Sequence, residues 1–137
     1  MSDLRRGKRV PQTILVIEDE APVLRLVAAL LRHSGRNVLA ADGGPQALEI
    51  ARTHEGPIDL VISDVLLGSQ KGPEIVRDLL ALRPGVPCLF VSGSPQDHAD
   101  SPEFEEIRRI PSARVRFLAK PFKPSDLLAA VESLSLL

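Results

Sequence analysis

Five short apolar runs, each followed by a stretch of helical period, recur along the chain, and this alternation limits the possible folds more than any other feature. Thr13 to Ile17 is the first β-rich run. Pro22 then suits the first turn of a helix, whose apolar face carries Val23, Leu24, Val27, Leu30 and Leu31, and Gly35 suits the position just past its end. Asn37 to Ala41 is a weaker strand, and Asp42-Gly43-Gly44-Pro45 reads as a turn into a helix with Ala47, Leu48 and Ala51 inward. Ile58 to Ser63 is the most strand-like run. Gly72-Pro73 opens a third helix with Ile75, Val76, Leu79, Leu80 and Leu82 on one side, and Arg83-Pro84-Gly85 ends it. Val86 to Val91 is the fourth strand and Val115 to Ala119 the fifth; Pro124-Ser125-Asp126 caps a last helix bearing Leu127, Leu128, Val131 and Leu134. Between those two strands, Phe104, Ile107 and Ile110 predict a helix cut short by Pro95, Pro102 and Pro111.

Strands alternating with helices call for a parallel sheet covered on both faces, an α/β fold of five βα units. Right-handed crossovers reduce the topology to a few doubly wound arrangements, which place their sites at the carboxyl ends of the strands. At 137 residues the chain suits one domain with a proper core. The net charge of −1, with no Trp or Tyr and four Phe, speaks against a nucleic-acid surface. The basic cluster Arg5-Arg6-Gly7-Lys8-Arg9 fits a solvated N-terminal arm, residues 1–11, better than a nucleic-acid contact. Cys88 is the only cysteine, so an intramolecular disulfide is impossible, and its apolar run makes it a core residue. No run is long enough to span a membrane, and a cytoplasmic location is expected.

Chemistry gathers where the strands end. Glu18-Asp19-Glu20 follows the first run, Asp64 the third, Ser92 the fourth and Lys120-Pro121 the fifth. Acids before a helix favour its dipole in any protein, and a serine or phenylalanine at a strand end is usually structural. The joint placement of acids, a hydroxyl and an amine on one sheet edge is what points to a site. Asp59 reads as a turn or capping residue, and His33, His54 and His98 as surface residues, since none has ligand spacing.

The segments ILVIEDE (Ile14 to Glu20), DLVISDVLLGSQKGPE (Asp59 to Glu74), CLFVSGS (Cys88 to Ser94) and FLAKPF (Phe117 to Phe122) resemble the receiver domain of response regulators in two-component systems, from Ile14 to about Leu134. The resemblance implies a flavodoxin-like sheet in strand order 2-1-3-4-5, with residues 12–137 as the receiver domain. It implies Asp64 as phosphoacceptor, drawing a phosphoryl group from a histidine kinase or a histidine phosphotransfer domain. It implies Mg²⁺ or Mn²⁺ held by Asp19, Asp64 and the Leu66 backbone carbonyl, with Glu18 acting through water; a hard cation of this kind prefers oxygen ligands. Lys120, before a cis proline peptide bond, would serve the phosphoryl oxygens or Asp64, and Ser92 and Phe117 would be the switch pair, Phe117 turning from exposed to buried. The output would be a protein contact, with the fourth helix, fifth strand and fifth helix as a possible homodimer face, and no nucleic-acid or membrane partner. Such a domain is not an enzyme in the ordinary sense, although it assists its own phosphorylation and dephosphorylation.

Several positions depart from the family's commoner residues. Glu18 stands for Asp and Ser92 for Thr, both conservative. Gly93 keeps the site open, and Leu66 and Ser94 flank it and tune hydrolysis. Gly68 and Gln70 are expected to loosen the loop after Asp64, and Ser94 to Ala113 is longer and more polar than usual. Two rivals follow from the residues: a receiver-shaped interaction module that does not use phosphate, and an aspartyl phosphatase. The second wants another acid two positions after its nucleophile, where this chain has Leu66.

Overall fold

The computed structural model describes residues 12–67, 70–93 and 114–135, together with positions 102, 105 and 109. In chain order the elements are β1 (Thr13–Ile17), α1 (Ala21–His33), β2 (Asn37–Ala41), α2 (Gly44–Thr53), β3 (Leu60–Asp64), β4 (Leu66–Leu67), β5 (Gln70–Lys71), α3 (Gly72–Leu82), β6 (Cys88–Ser92), β7 (Val115–Ala119) and α4 (Pro124–Ser135). Five strands form one parallel sheet in the order β2-β1-β3-β6-β7, which is 2-1-3-4-5 when its own strands are counted along the chain.

Successive residues of the central strands point to opposite faces, and each face has its own apolar layer. Ile14, Val16, Leu60, Ile62, Leu89 and Val91 pack with Val27 and Leu31 of α1 and with Leu127, Val131 and Leu134 of α4. Leu15, Ile17, Val61 and Phe90 pack the other way, with Ala47 and Ala51 of α2 and Ile75, Val76 and Leu79 of α3. Cys88 lies in this second layer and is 1% exposed.

The helix ends follow from their sequences. At the end of α1, Gly35 has φ +91°, the Gly35 amide donates to the Arg32 carbonyl and the Arg36 amide to Leu31, closing a Schellman motif. Asp126 accepts the Lys123 amide at 3.1 Å at the start of α4. Arg83, just past α3, donates to the carbonyls of Ala51, His54 and Gly56 and so ties the ends of α2 and α3 together. His54 is accordingly half-buried, whereas His33 is exposed as expected. The Asp59 carboxylate accepts the Thr13 amide at 2.8 Å, which bears out its capping role.

Two strand boundaries differ from the sequence expectation. The third strand runs Leu60–Asp64 rather than from Ile58, and the fourth Cys88–Ser92 rather than from Val86. Pro87 has no amide hydrogen, so the β3–β6 ladder begins after it, at Val61 opposite Cys88. Asp64 and Ser92 therefore end their strands rather than follow them. The antiparallel β4–β5 hairpin was not anticipated. The arm at 1–11, Gly68, Ser94, His98 and most of Ser94 to Ala113, with its expected helix, lie outside the described residues.

Candidate phosphoacceptor site

The register of the sheet delivers the site. Ladder bonds continue past the strand ends: the Glu18 amide reaches the Ala41 carbonyl, Val65 reaches Val91, and Lys120 reaches Ser92 at 2.8 Å. Glu18, Asp64, Ser92 and Lys120, from four parts of the chain, thus meet at one edge. Glu18, Asp64 and Ser92 are buried, at 5%, 7% and 5% exposure.

Lys120 Nζ lies 2.9 Å from Asp64 Oδ1 and 3.1 Å from Oδ2, and 3.9 Å from Glu18 Oε1. The Lys120–Pro121 peptide bond is cis. Burial alone would pull the Lys120 ammonium down, but the Asp64 hydrogen bond and the charges of Asp64, Glu18 and Glu20 carry it above its ordinary value. Burial pushes the Glu18 carboxyl up to about 8, aided by a hydrogen bond to Asp64 and by the Asp64 charge, and opposed by the Glu20 amide and Lys120. The Glu20 amide donates to Glu18 Oε2 at 3.1 Å.

One ammonium faces two buried acids, and exposed Asp19 adds a third. Oxygens of Glu18, Asp19 and Asp64 lie within 4.8 Å of one another. An all-oxygen set with surplus negative charge fits a hard divalent cation such as Mg²⁺.

Glu18, Asp19, Asp64, Ser92 and Lys120 stand together at this edge, and Phe117 lies two residues back from the end of β7. Leu66 is 56% exposed and flanks Asp64, as its place in the sequence implied. Phe117 is 38% exposed, and its ring stacks on Phe90 at 5.8 Å between centroids. Phe90 went unnoticed in the sequence, although pairing of the fourth and fifth apolar runs puts it opposite Phe117. The loosening expected of Gln70 is reversed: its side-chain oxygen accepts the Gly44 amide at 3.2 Å, so it fastens the loop after Asp64 to the start of α2. Gly72 also has a structural duty, because a Cβ there would lie 1.9 Å from the Asp64 carbonyl oxygen.

Among the described residues, no helix is long and apolar enough to cross a membrane. Residues 14–132 match the model of the response regulator receiver domain family. The sensor kinase CckA of Brucella abortus (strain 2308) is 33% identical over 123 residues, covering 89% of this chain and 12% of that protein. The alkaline phosphatase synthesis transcriptional regulatory protein PhoP of Bacillus subtilis (strain 168) is 31% identical over 121 residues, 88% of this chain and 47% of that protein. The chain thus spans about half the length, or much less, of these curated relatives. Among solved structures, the receiver domain of hybrid histidine kinase CckA superposes with a TM-score of 0.72 at 32% identity, covering 90% of this chain and 98% of the other. The chemotaxis protein CheY4 of Vibrio cholerae gives a TM-score of 0.75 over 91% of this chain and 99% of the other; at 24% identity it speaks to the fold alone.

Proposed function

We propose that this chain, which belongs to the response regulator receiver domain family, is a phosphorylation-controlled switch in a two-component phosphorelay, with Asp64 as its phosphoacceptor. The observation that carries the reading is the buried Asp64 carboxylate held by Lys120 at 2.9 Å beside Glu18 and Asp19. An Asp64 oxygen attacks the phosphorus of a phosphohistidine on a kinase or phosphotransfer domain. The new O–P bond forms as the P–N bond breaks, and the imidazole nitrogen leaves with the electron pair and takes up a proton. Asp19, Asp64 and the Leu66 carbonyl, with Glu18 beside them, would hold a divalent cation, which would supply the charge neutralisation that phosphoryl transfer needs.

The remaining work belongs to side chains. Lys120 fixes the carboxylate before transfer and offers its charge to the phosphoryl oxygens afterward. The Ser92 hydroxyl donates to a phosphoryl oxygen, and because the Ser92 carbonyl holds the Lys120 amide, the two readers of phosphate move together. Phe117 then presses further against Phe90, changing the surface offered to a partner protein. The location this reading requires is the cytoplasm, where the donor kinase domains act. Homodimerisation across the edge formed by β7 and α4 is one form the output could take.

The test is incubation with Mg²⁺ and acetyl phosphate or phosphoramidate, followed by intact mass. The wild type should gain one phosphoryl group and Asp64→Asn none. A wild type without adduct would leave the phosphate-independent interaction module standing, and an undiminished adduct in Asp64→Asn would move the acceptor elsewhere.

A further inference from the structure

The segment between Asp64 and α3 closes mainly on itself. Leu66 pairs with Lys71 and Leu67 with Gln70, and the Gly72 amide donates to the Val65 carbonyl at 2.7 Å. A hairpin with two-residue strands has little stability of its own and needs anchoring from outside. Leu67 supplies one anchor, buried in the layer beneath α2 and α3.

Gln70 supplies the other. Its Oε1 accepts the Gly44 amide at 3.2 Å. That amide is one of the donors a helix start leaves without an internal partner, and the N-cap, Gly43, has no side chain to satisfy it. A Cβ on Gly44 would stand 2.5 Å from Gln70 Oε1, 3.0 Å from Ile75 Cγ1 of α3 and 3.1 Å from Gln70 Cδ. The absence of a side chain at Gly44 therefore leaves the room that Gln70 and Ile75 occupy at the start of α2.

We propose that Gln70 is a positioning residue for the cation at the acidic site: by latching the hairpin to α2 it fixes the backbone around Leu66, and so sets cation affinity without touching the cation. The proposal rests on reading the Asp64 site as a cation-assisted phosphoacceptor. Gln70 lies on the strand paired with Leu66, so releasing it lets the hairpin shift beyond Val65, whose amide the Val91 carbonyl holds, while Asp19, Asp64 and Lys120 stay in place. Affinity should fall while the chemistry at saturating cation is kept.

The test titrates Mg²⁺ into the full chain with no phosphodonor, by calorimetry. Gln70→Met keeps the length of the side chain but cannot accept. Gly44→Ala pushes on the same contact from the opposite side and also crowds Ile75, so Gln70→Met is the deciding variant. Gln70→Glu still accepts, and it sits at a helix N-terminus that favours negative charge. Gln70→Met and Gly44→Ala should each raise the Mg²⁺ Kd about 3- to 10-fold, the net worth of one hydrogen bond, while Gln70→Glu binds as tightly as wild type or tighter. Hydrogen exchange of the Gly44 amide should quicken in Gln70→Met. With acetyl phosphate, the Mg²⁺ concentration at half-maximal rate should shift and the saturated rate should not. A wild-type Kd in folded Gln70→Met overturns the latch and leaves the site reading intact. A wild type that binds no Mg²⁺ and takes up no phosphoryl group overturns the site reading and the latch with it.

Discussion

Gly72→Ala tests how tightly Asp64, the proposed phosphoacceptor, is built into the backbone. Gly72 opens α3 directly behind the end of β3, and a Cβ built there lies 1.9 Å from the Asp64 carbonyl oxygen and 2.9 Å from Ser63 Oγ. Real Cβ atoms essentially never approach a neighbour closer than 3.0 Å, so the Asp64 peptide and the start of α3 must separate by at least 1.1 Å, the difference between 3.0 and 1.9. Neither side yields cheaply: the Gly72 amide is bonded to Val65, and the Val65 amide is bonded to Val91 in the sheet. Overpacking of this kind costs about 1–3 kcal/mol, and for a domain of this size each kcal/mol lowers Tm by about 3–4 °C. A displacement near 1 Å in a reacting group costs roughly 100-fold in rate. Gly72→Ala should therefore melt several degrees lower and accept phosphate from phosphoramidate about 100-fold more slowly per folded molecule. Gly43→Ala is the control, since its backbone is extended and its added Cβ meets nothing within 4 Å. Thermal unfolding and a time course of intact mass, run on both variants, read the two effects separately. Wild-type Tm and rate in Gly72→Ala would refute the steric argument; a lowered Tm with a wild-type rate would show that Asp64 is not tied to the start of α3.

Three other perturbations follow from the geometry. With Glu18 raised from 4.5 to about 8, the folded protein holds a proton that the unfolded chain has lost, so metal-free stability should fall as pH rises across that window, by up to about 1.4 kcal/mol per pH unit, and level off above it. Urea unfolding in EDTA from pH 6 to 9 checks the sign, and stability that climbs with pH would contradict it. Lys120→Met removes the ammonium shared by Asp64 and Glu18 and should slow phosphoryl uptake about 10- to 100-fold without unfolding the domain; an unchanged rate in the mass assay would deny Lys120 its role. Asp59→Ala strips the acceptor from the Thr13 amide at the far end of the sheet and should cost about 1–2 kcal/mol in urea unfolding with normal phosphoryl uptake, an account that undiminished stability would defeat.

The elements legible in the sequence were those whose signals are local. Thr13–Ile17, Asn37–Ala41 and Val115–Ala119 occupy the bounds their apolar runs predicted, and Gly35, Pro22 and Gly72-Pro73 mark helix ends as their backbone chemistry requires. The site was legible because parallel strands put their carboxyl ends on one edge, so position in the chain became position in space. Contacts across the fold left weaker traces. The hairpin of Leu66 to Lys71 was hidden by its two-residue strands, too short to show an alternating pattern, although Gly68-Ser69 is a dipeptide that two-residue hairpin loops favour. Gln70 looked like a polar intruder because its partner is a backbone amide 26 residues away. Gly44 was the available hint, being a place where another group comes close to the backbone. The strand starts at Leu60 and Cys88 depended on which amides find partners, something an apolar run does not encode.

The three bonds from Arg83 have a mechanical consequence. They bolt the far ends of α2 and α3 together, while Gln70 fastens the near end of α2 to the hairpin that leads into α3. These two helices and their connections form a braced truss beneath Asp64. The backbone that runs from Asp64 into α3 is thus tied to α2 at both ends of the helix pair rather than at one.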